Sequence, residues 1–258
     1  MQRPEREPPL HQMQPTRRFA DRAQEYARFR PDYPAEAIDA ILDSIGDPAH
    51  LVVADLGAGT GIASRQLARR GVRVIAIEPN GPMRGSAAPE AGIEWREGSA
   101  EDTGLPDQSV MLATAFQAFH WFDPEPALRE MHRILVPDGR LALVWNQRDP
   151  DDPLTAAYSR IVRALSDQHP AEERPNVTDP LFASSLFAGV RHRSFAHGQD
   201  LSLEGLLGRA ASVSYLPKEG PRHEELTERL LELHRDWGDS HGMVRLAYRT
   251  EVFLATRA

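Results

Sequence analysis

The ten residues Val52 to Gly61 constrain this chain most. They read Val-Val-Ala-Asp-Leu-Gly-Ala-Gly-Thr-Gly. An apolar run ends in Asp55, and glycines follow at alternate positions, 57, 59 and 61. A second apolar run, Val72 to Ile77, ends in Glu78. Strand, glycine turn, helix, strand, acid is the order of a cleft for an adenosine-bearing ligand at the carboxyl ends of parallel strands. Glycine lets the backbone approach a ligand closely and adopt φ values that other residues resist. The dinucleotide fingerprint places its third glycine three positions after the second, to set a helix N-terminus on a pyrophosphate. Here the third glycine comes two positions after the second, which weighs against a nicotinamide dinucleotide. A ligand with an amino-acid end instead needs an acid such as Asp55 to meet its ammonium group. Glu78 stands where a carboxylate accepts both hydroxyls of a ribose. Nicotinamide enzymes use an acid at the same place, so Glu78 does not separate the two ligands.

The rest of the chain repeats the alternation. Thr16 to Pro34 places Phe19, Ala23, Tyr26 and Ala27 at helical spacing, and Pro31 ends that helix. It forms a lid over the glycine-rich site, packs on the sheet, or does both. Ile38, Ile41, Leu42 and Ile45 form the apolar stripe of a second helix. Strands are expected at Leu51 to Leu56, Val72 to Ile77, Ile93 to Glu97, Val110 to Ala118 and Arg140 to Trp145. Thr60 is the expected N-cap of a helix from Ile62 to Arg70. Gly81 to Glu90 is at best a weak helix. Asp123 and Pro124 open a helix whose stripe is Leu128, Met131, Ile134 and Leu135. Pro137-Asp138-Gly139 reads as a turn. Beyond Trp145, Leu154 to Leu165 reads as a helix, His169 to Pro180 as a loop, and Val190 to Phe195 and Val252 to Thr256 as late strands. Leu226, Leu230, Leu233 and Trp237 line one face of a helix between those strands. The expected architecture is α/β: a Rossmann-like, doubly wound, mostly parallel sheet of seven strands with helices on both faces and an antiparallel C-terminal strand. Met1 to Pro15 reads as a disordered leader, 16–258 as one domain, 16–34 as the lid, and 149–186 as an insertion over the cleft.

Composition removes several classes of function. The chain has no cysteine, so it has no disulfide, thiolate nucleophile or zinc-thiolate site. Its formal net charge of −8 weighs against nucleic acid as a partner, because phosphate contacts need a basic face. Its histidines match no standard metal-ligand spacing, so no metal is expected. No run approaches the roughly 20 apolar residues of a membrane span, and the first residues lack the apolar core of a secretory signal. These readings favour a cytoplasmic protein that binds neither membrane nor nucleic acid. Its oligomeric state is not written in the sequence.

Taken together, Asp55 to Gly61, Glu78, the Gly-Ser-Ala-Glu loop at 98–101, the fourth strand ending in Gln117-Ala-Phe-His-Trp-Phe122, and Pro137-Asp138-Gly139 resemble class I S-adenosylmethionine-dependent methyltransferases. More narrowly, Tyr26 with Arg30-Pro31-Asp32-Tyr33-Pro34, and the pair His120-Trp121, are similar to the trans-aconitate and related small-molecule methyltransferase branch. The resemblance covers Phe19 to Trp145 well and the remainder poorly. It implies that Asp55, Gly57, Ala58 and Gly59 hold the methionine end of S-adenosylmethionine. It implies further that Glu78 binds the ribose with Pro79 beside it, and that Ser99, Ala100 and Glu101 border the adenine. Gln117 and His120 would lie near the methionine or the reacting methyl. Ala58 replaces a cysteine common in such loops. Ser99 stands where an aspartate often contacts adenine, so a side-chain bond there gives way to backbone contacts.

The acceptor is expected to be a small molecule, with Tyr26, Arg30, Tyr33, Trp121 and Arg148 as the residues that meet it. His120 is a general base or a fixed wall that orients substrate. Arg148 pairs with a substrate carboxylate, or is a surface arginine balancing Asp149, Asp151 and Asp152. Three competing functions share this sequence: a nicotinamide-dependent oxidoreductase, a methyltransferase acting on a protein, and a binding module that keeps the fold without turnover.

Overall fold

The computed structural model describes residues 22–166 and 177–258. The leader, the first part of the N-terminal lid and most of the expected loop at 169–180 lie outside the described residues. Seven strands form one sheet in the order β3-β2-β1-β4-β5-β7-β6. They are β1 (Val52–Leu56), β2 (Arg73–Ile77), β3 (Ile93–Arg96), β4 (Val110–Phe116), β5 (Leu135–Arg148), β6 (Phe187–Leu201) and β7 (Val244–Arg257). The first five pair in parallel, and β7 runs antiparallel between β5 and β6. β1 lies inside the sheet, between β2 and β4, and its last four residues are buried. That burial on both faces is why Val52 to Leu56 reads as a continuous apolar run rather than an alternating one.

Helices cover both faces. In chain order they are α1 (Ala23–Phe29), α2 (Ala35–Leu42), α3 (Ile62–Ala68), α4 (Gly81–Gly85), α5 (Pro124–Ile134), α6 (Pro153–Leu165), α7 (Asp179–Ala183), α8 (Leu203–Ala211) and α9 (Pro221–Trp237). One face of the sheet packs on α2 and α3 through Ile38, Ile41, Ile62 and Leu67. The other packs on α5 through Leu128, Met131 and Ile134. A third cluster, separate from both, joins α6, α8 and α9 to the first half of β7 through Tyr158, Leu206, Leu230 and Tyr248. Tyr248 opposes Arg148, the last residue of β5. This third cluster therefore stands beyond the carboxyl ends of the parallel strands and forms a cap.

Several local expectations change. Thr60 does not cap α3: Gly61 does, at φ +76°, a conformation that glycine adopts without a Cβ penalty. Pro137-Asp138-Gly139 does not separate helix from strand. It is absorbed into β5 as a bulge, since Val110 opposes Leu135 while Leu112 already opposes Arg140. The late strands run well past their expected ends, because β6 and β7 pair continuously from Leu201↔Val244 to His192↔Phe253. Among its described residues, the insertion expected at 149–186 supplies α6 to the cap. α7 packs elsewhere, with Leu181 in the core beneath α5. The cap's other helices, α8 and α9, come from the connection between β6 and β7, and α8 was not anticipated. On α9, Leu226, Leu230 and Leu233 are buried but Trp237 is 46% exposed, one turn past the packed stripe. Among the described residues no helix is long and apolar enough to cross a membrane.

Candidate active site

Asp55 is the penultimate residue of β1 and Glu78 follows the last residue of β2, and the parallel register brings those ends side by side, with Asp55 opposite Ala76 and Leu56 opposite Ile77. Asp55 is 1% exposed, and its carboxylate accepts hydrogen bonds from Ser64 Oγ and, at 2.9 Å, from Thr114 Oγ1 on β4. Burial pushes its pKa up to about 6, against the two hydroxyl donors that hold it down. A buried carboxylate with that pKa gains most from a cation placed against it.

Glu78 is held by both of its oxygens. Gly59 N–H donates to Oε2 and Asn80 N–H donates to Oε1, each at 2.9 Å. The carboxylate thus pins the glycine turn to the end of β2 and keeps its outer lone pairs for a ligand. Burial raises the Glu78 pKa, opposed by the two amide bonds. Gly57 takes φ +66°, and a Cβ there would come within 2.8 Å of Ala118 Cβ and 3.0 Å of the Phe122 ring. The turn is bare because the β4 loop lies against it.

A chamber of about 450 Å³ opens above this turn. Asp55, Gly57, Ala58, Gly59, Glu78, Pro79, Ser99, Ala100, Glu101 and Gln117 all line it. Ser99 Oγ accepts from the Glu101 and Asp102 amides, so the hydroxyl braces its own loop. Glu101 Oε1 accepts from Asp123 N–H at 2.9 Å and ties that loop to the start of α5. Sequence reasoning missed Met83, Phe116 and Phe122, which supply apolar wall, and the place of Thr60 in the lining. Thr60 is 1% exposed and its Oγ1 has no hydrogen-bond partner among the described residues. A buried hydroxyl left without a partner at a chamber wall marks a place for a polar ligand atom.

A second chamber, of about 500 Å³, adjoins the first and lies under the cap. Tyr26, Gln117 and Trp121 line both, so these three side chains form the passage between them. Gln117 takes φ +53°, a left-handed conformation that costs a non-glycine residue on the order of 1 kcal/mol or more. Its Nε2 donates to Asn146 O at 2.7 Å, which fixes the side chain across the gap. Tyr26 packs under the Arg30 guanidinium, 4.7 Å from its ring centre.

Arg30 and Arg148 line the second chamber, as does His120. Tyr33 does not. It is 8% exposed, lies edge-on to Phe116 at 4.7 Å, and lines the first chamber. The proline on either side of Asp32-Tyr33 turns the chain away from the lid and into the sheet. Asp149 and Asp151 are paired with Arg249, while Arg148 lies over the Tyr158 ring at 5.5 Å. Arg160, Arg163, Arg209 and Tyr215 were missed. They belong to the cap, and a guanidinium on an exposed helix face carries no local sign that the helix covers a cavity.

The lid packs on the cap. Arg22 donates to the carbonyls of Ala211, Val213 and Leu216 at the end of α8. Phe29 lies so close to Gly208 that a Cβ there would meet its ring at 2.4 Å. α1 is thus a wall of both chambers held by α8.

His120 follows β4 in a short 3₁₀ turn, Phe119–Trp121. Its Nδ1 lies 3.2 Å from Trp145 Nε1, and Trp145 is fully buried. Indole nitrogen only donates, so Nδ1 accepts and the proton of the neutral ring sits on Nε2. Burial, with the Arg30 charge in the same direction, lowers the His120 pKa to about 4. Among the described residues no group of acids and histidines could hold a metal ion.

The comparisons with known proteins agree with this geometry. Residues 54–143 match the methyltransferase-domain family. An uncharacterized methyltransferase of Mycobacterium bovis is 34% identical over 240 residues, covering 90% of this chain and 93% of its own. An uncharacterized methyltransferase-like protein of Schizosaccharomyces pombe is 31% identical over 236 residues, covering 89% and 91%. Among solved structures, a putative methyltransferase from an antibiotic biosynthesis pathway of Anabaena variabilis superposes with a TM-score of 0.63 at 27% identity, over 89% of this chain and 98% of the other. A putative type II methyltransferase of Anaeromyxobacter dehalogenans has the same fold, with a TM-score of 0.66 at 24% identity, over 88% and 98%. The chain belongs to the methyltransferases, and it is an enzyme of methyl transfer on a Rossmann-like fold.

Proposed function

We propose that this enzyme transfers the methyl group of S-adenosylmethionine to a small-molecule acceptor, with donor and acceptor in the two adjoining chambers. One observation carries the reading: a chamber with a buried acid, a second acid at the next strand end and an unpartnered buried hydroxyl adjoins, through Tyr26, Gln117 and Trp121, a second chamber under the cap. The residues of the first chamber fit the donor. Asp55 meets the ammonium group, Gly57 and Gly59 admit the methionine backbone, and Glu78 accepts from the ribose hydroxyls. The 98–101 loop borders the adenine, and Thr60 Oγ1 gains the partner it lacks. When bound, S-adenosylmethionine supplies a sulfonium methyl that passes to an acceptor lone pair while the C–S electron pair returns to sulfur.

The chain's own work is alignment and exclusion of water. Gln117, fixed by Asn146, and Trp121 define the line between the chambers. His120 is part of the orienting wall, since its lone pair is committed to Trp145 and a base needs that lone pair free. A second chamber of about 500 Å³ has the size of a metabolite site and favours a small acceptor over a protein chain. The likeness of the lid and of His120-Trp121 to the trans-aconitate and related branch points the same way.

Calorimetry with S-adenosylhomocysteine and with NADH tests the donor. Binding of the first and not of the second is expected, and the reverse result overturns the proposal. Labelled methyl donor with a cell extract divided by molecular size tests the acceptor. Label is expected in the low-mass fraction, and label confined to protein overturns that part.

A further inference from the structure

The second chamber has an unusual charge. Arg30, Arg148, Arg160, Arg163 and Arg209 line it, and among the described residues no acidic side chain does. The whole chain carries a net charge of −8, so this concentration of positive charge runs against the composition. Elsewhere many arginines sit against a carboxylate, among them Arg69, Arg70, Arg73, Arg84, Arg133, Arg245 and Arg249.

Two of the chamber's guanidinium groups carry the argument. Arg209 is 6% exposed, and its hydrogen bonds go to Tyr248 Oη at 3.2 Å and Ser212 Oγ at 3.4 Å, neither of which carries charge. Arg30 donates from Nη2 to Ser212 O at 3.1 Å, and its buried Nε has no hydrogen-bond partner among the described residues. Burial and the charge of Arg209 together lower the Arg30 pKa. Two cations set close together, with neutral partners only, are an uncompensated cost in a folded protein. Such a cost persists where a ligand of the opposite sign removes it. Guanidinium also has the planar fork that takes carboxylate or phosphate by paired bonds.

His120 completes the set. With Nδ1 held by Trp145, its Nε2–H remains as a donor on the same chamber. A donor and several cations, with no acid and no available base among the described residues, describe a pocket for an anion.

We propose that the acceptor chamber is an oxyanion site, in which Arg30, Arg209 and the Nε2–H of His120 hold a carboxylate or phosphate group of the acceptor. This rests on the reading of the second chamber as the acceptor site. The exposed Arg160 and Arg163 on α6 stand at its edge and draw the anion in.

The test uses the full-length protein, with and without saturating S-adenosylhomocysteine. Calorimetry measures binding of citrate, of inorganic pyrophosphate and of neutral triethyl citrate. Two double variants are compared with wild type: Arg30→Gln/Arg209→Gln, and Arg160→Gln/Arg163→Gln, whose side chains are exposed and whose loss leaves the fold intact. Arg69→Gln/Arg73→Gln, at the opposite end of the sheet, is the charge-matched control. Citrate or pyrophosphate is expected to bind, triethyl citrate not. The first double variant should weaken anion binding at least tenfold, the second severalfold with a flatter salt dependence, and the control not at all. Preference for citrate assigns the carboxylate and preference for pyrophosphate the phosphate. Should Arg30→Gln/Arg209→Gln fail to fold, His120→Ala and the Arg160/Arg163 variant still report on the chamber. Absence of anion binding, or binding that survives equally in every variant, overturns the oxyanion site. Loss of S-adenosylhomocysteine binding in wild type overturns the proposed donor instead. The anion measurements without it are then read by the same criteria.

Discussion

The two chambers share three side chains and differ in nearly everything else. The first is made by consecutive turns at the ends of β1, β2 and β4, from residues within a few positions of an apolar strand. Its charged groups are acids held by neighbours around the same and adjoining strand ends: Asp55 by Ser64 and, across the sheet, Thr114, and Glu78 by Gly59 and Asn80. The second is made where α1, the 3₁₀ turn after β4, the end of β5, α6 and α8 converge. Its charged groups are arginines held by distant oxygens, as Arg30 is by Ser212 and Arg209 by Tyr248. The proposed donor side is thus built mainly on the ends of neighbouring parallel strands. The proposed acceptor side draws on the cap, and a few exchanged cap residues would change its chemistry without disturbing the sheet.

The largest break in that comparison is expected at Asp55. Asp55→Ala removes the buried anion and should weaken S-adenosylhomocysteine about 100-fold by calorimetry, the ~3 kcal/mol of a charged hydrogen bond, while anion binding in the second chamber persists. A loss in both chambers equally would mean that they are one site. Next is Gly57→Ala. With φ +66° and a Cβ 2.8 Å from Ala118, denaturant unfolding should show a loss of about 2 kcal/mol. Gly220→Ala, at φ +80° with open space around it, should lose about 1 kcal/mol.

The pH dependence of donor binding has a definite sign. Below about pH 6 Asp55 takes up a proton and can no longer pair with an ammonium group, and Glu78, also raised, acts in the same direction. Affinity should therefore fall as pH falls, by about tenfold between about pH 7 and about pH 5. Asp55→Asn should flatten that slope, and an unchanged slope would remove Asp55 from the ammonium site. The smallest effect is expected at His120. A general base contributes about 100-fold or more, whereas a wall that donates one hydrogen bond contributes about tenfold or less. His120→Ala should reduce turnover by no more than about tenfold and leave the pH–rate profile unchanged in shape between about pH 6 and about pH 8. A lost inflection in that range would restore the base.

How much was legible follows the same division. β1, Asp55, the glycine turn and Glu78 were readable because parallel strands and their turns are dictated by neighbours in sequence: buried apolar runs, positive φ at Gly57, Gly59 and Gly61, an acid at a strand end. Thr60 was misread as a cap because Ser, Thr and Asp at a helix start look alike in sequence. Only the turn's geometry put the cap on Gly61 and left the buried Thr60 hydroxyl without a hydrogen-bond partner among the described residues. The cap was misplaced because α8 is short and its Gly205 and Gly208 lower its helical signal. Gly208 is there for the close approach of Phe29, from a helix 179 positions earlier in one chain numbering (208 against 29).

The sequence by itself determined the parallel sheet, the acids at its carboxyl edge and the glycine turn between them, because those depend on interactions over a few residues. Tertiary structure alone decided that Tyr33 faces the donor chamber and that Trp145 sets the protonated nitrogen of His120. It also decided that arginines from α1, β5, α6 and α8 converge on one cavity. Each of those depends on which buried surface one segment offers another across the fold. A charge on a helix face has the same sequence pattern whether it meets water or a cavity; the opposing element makes the difference.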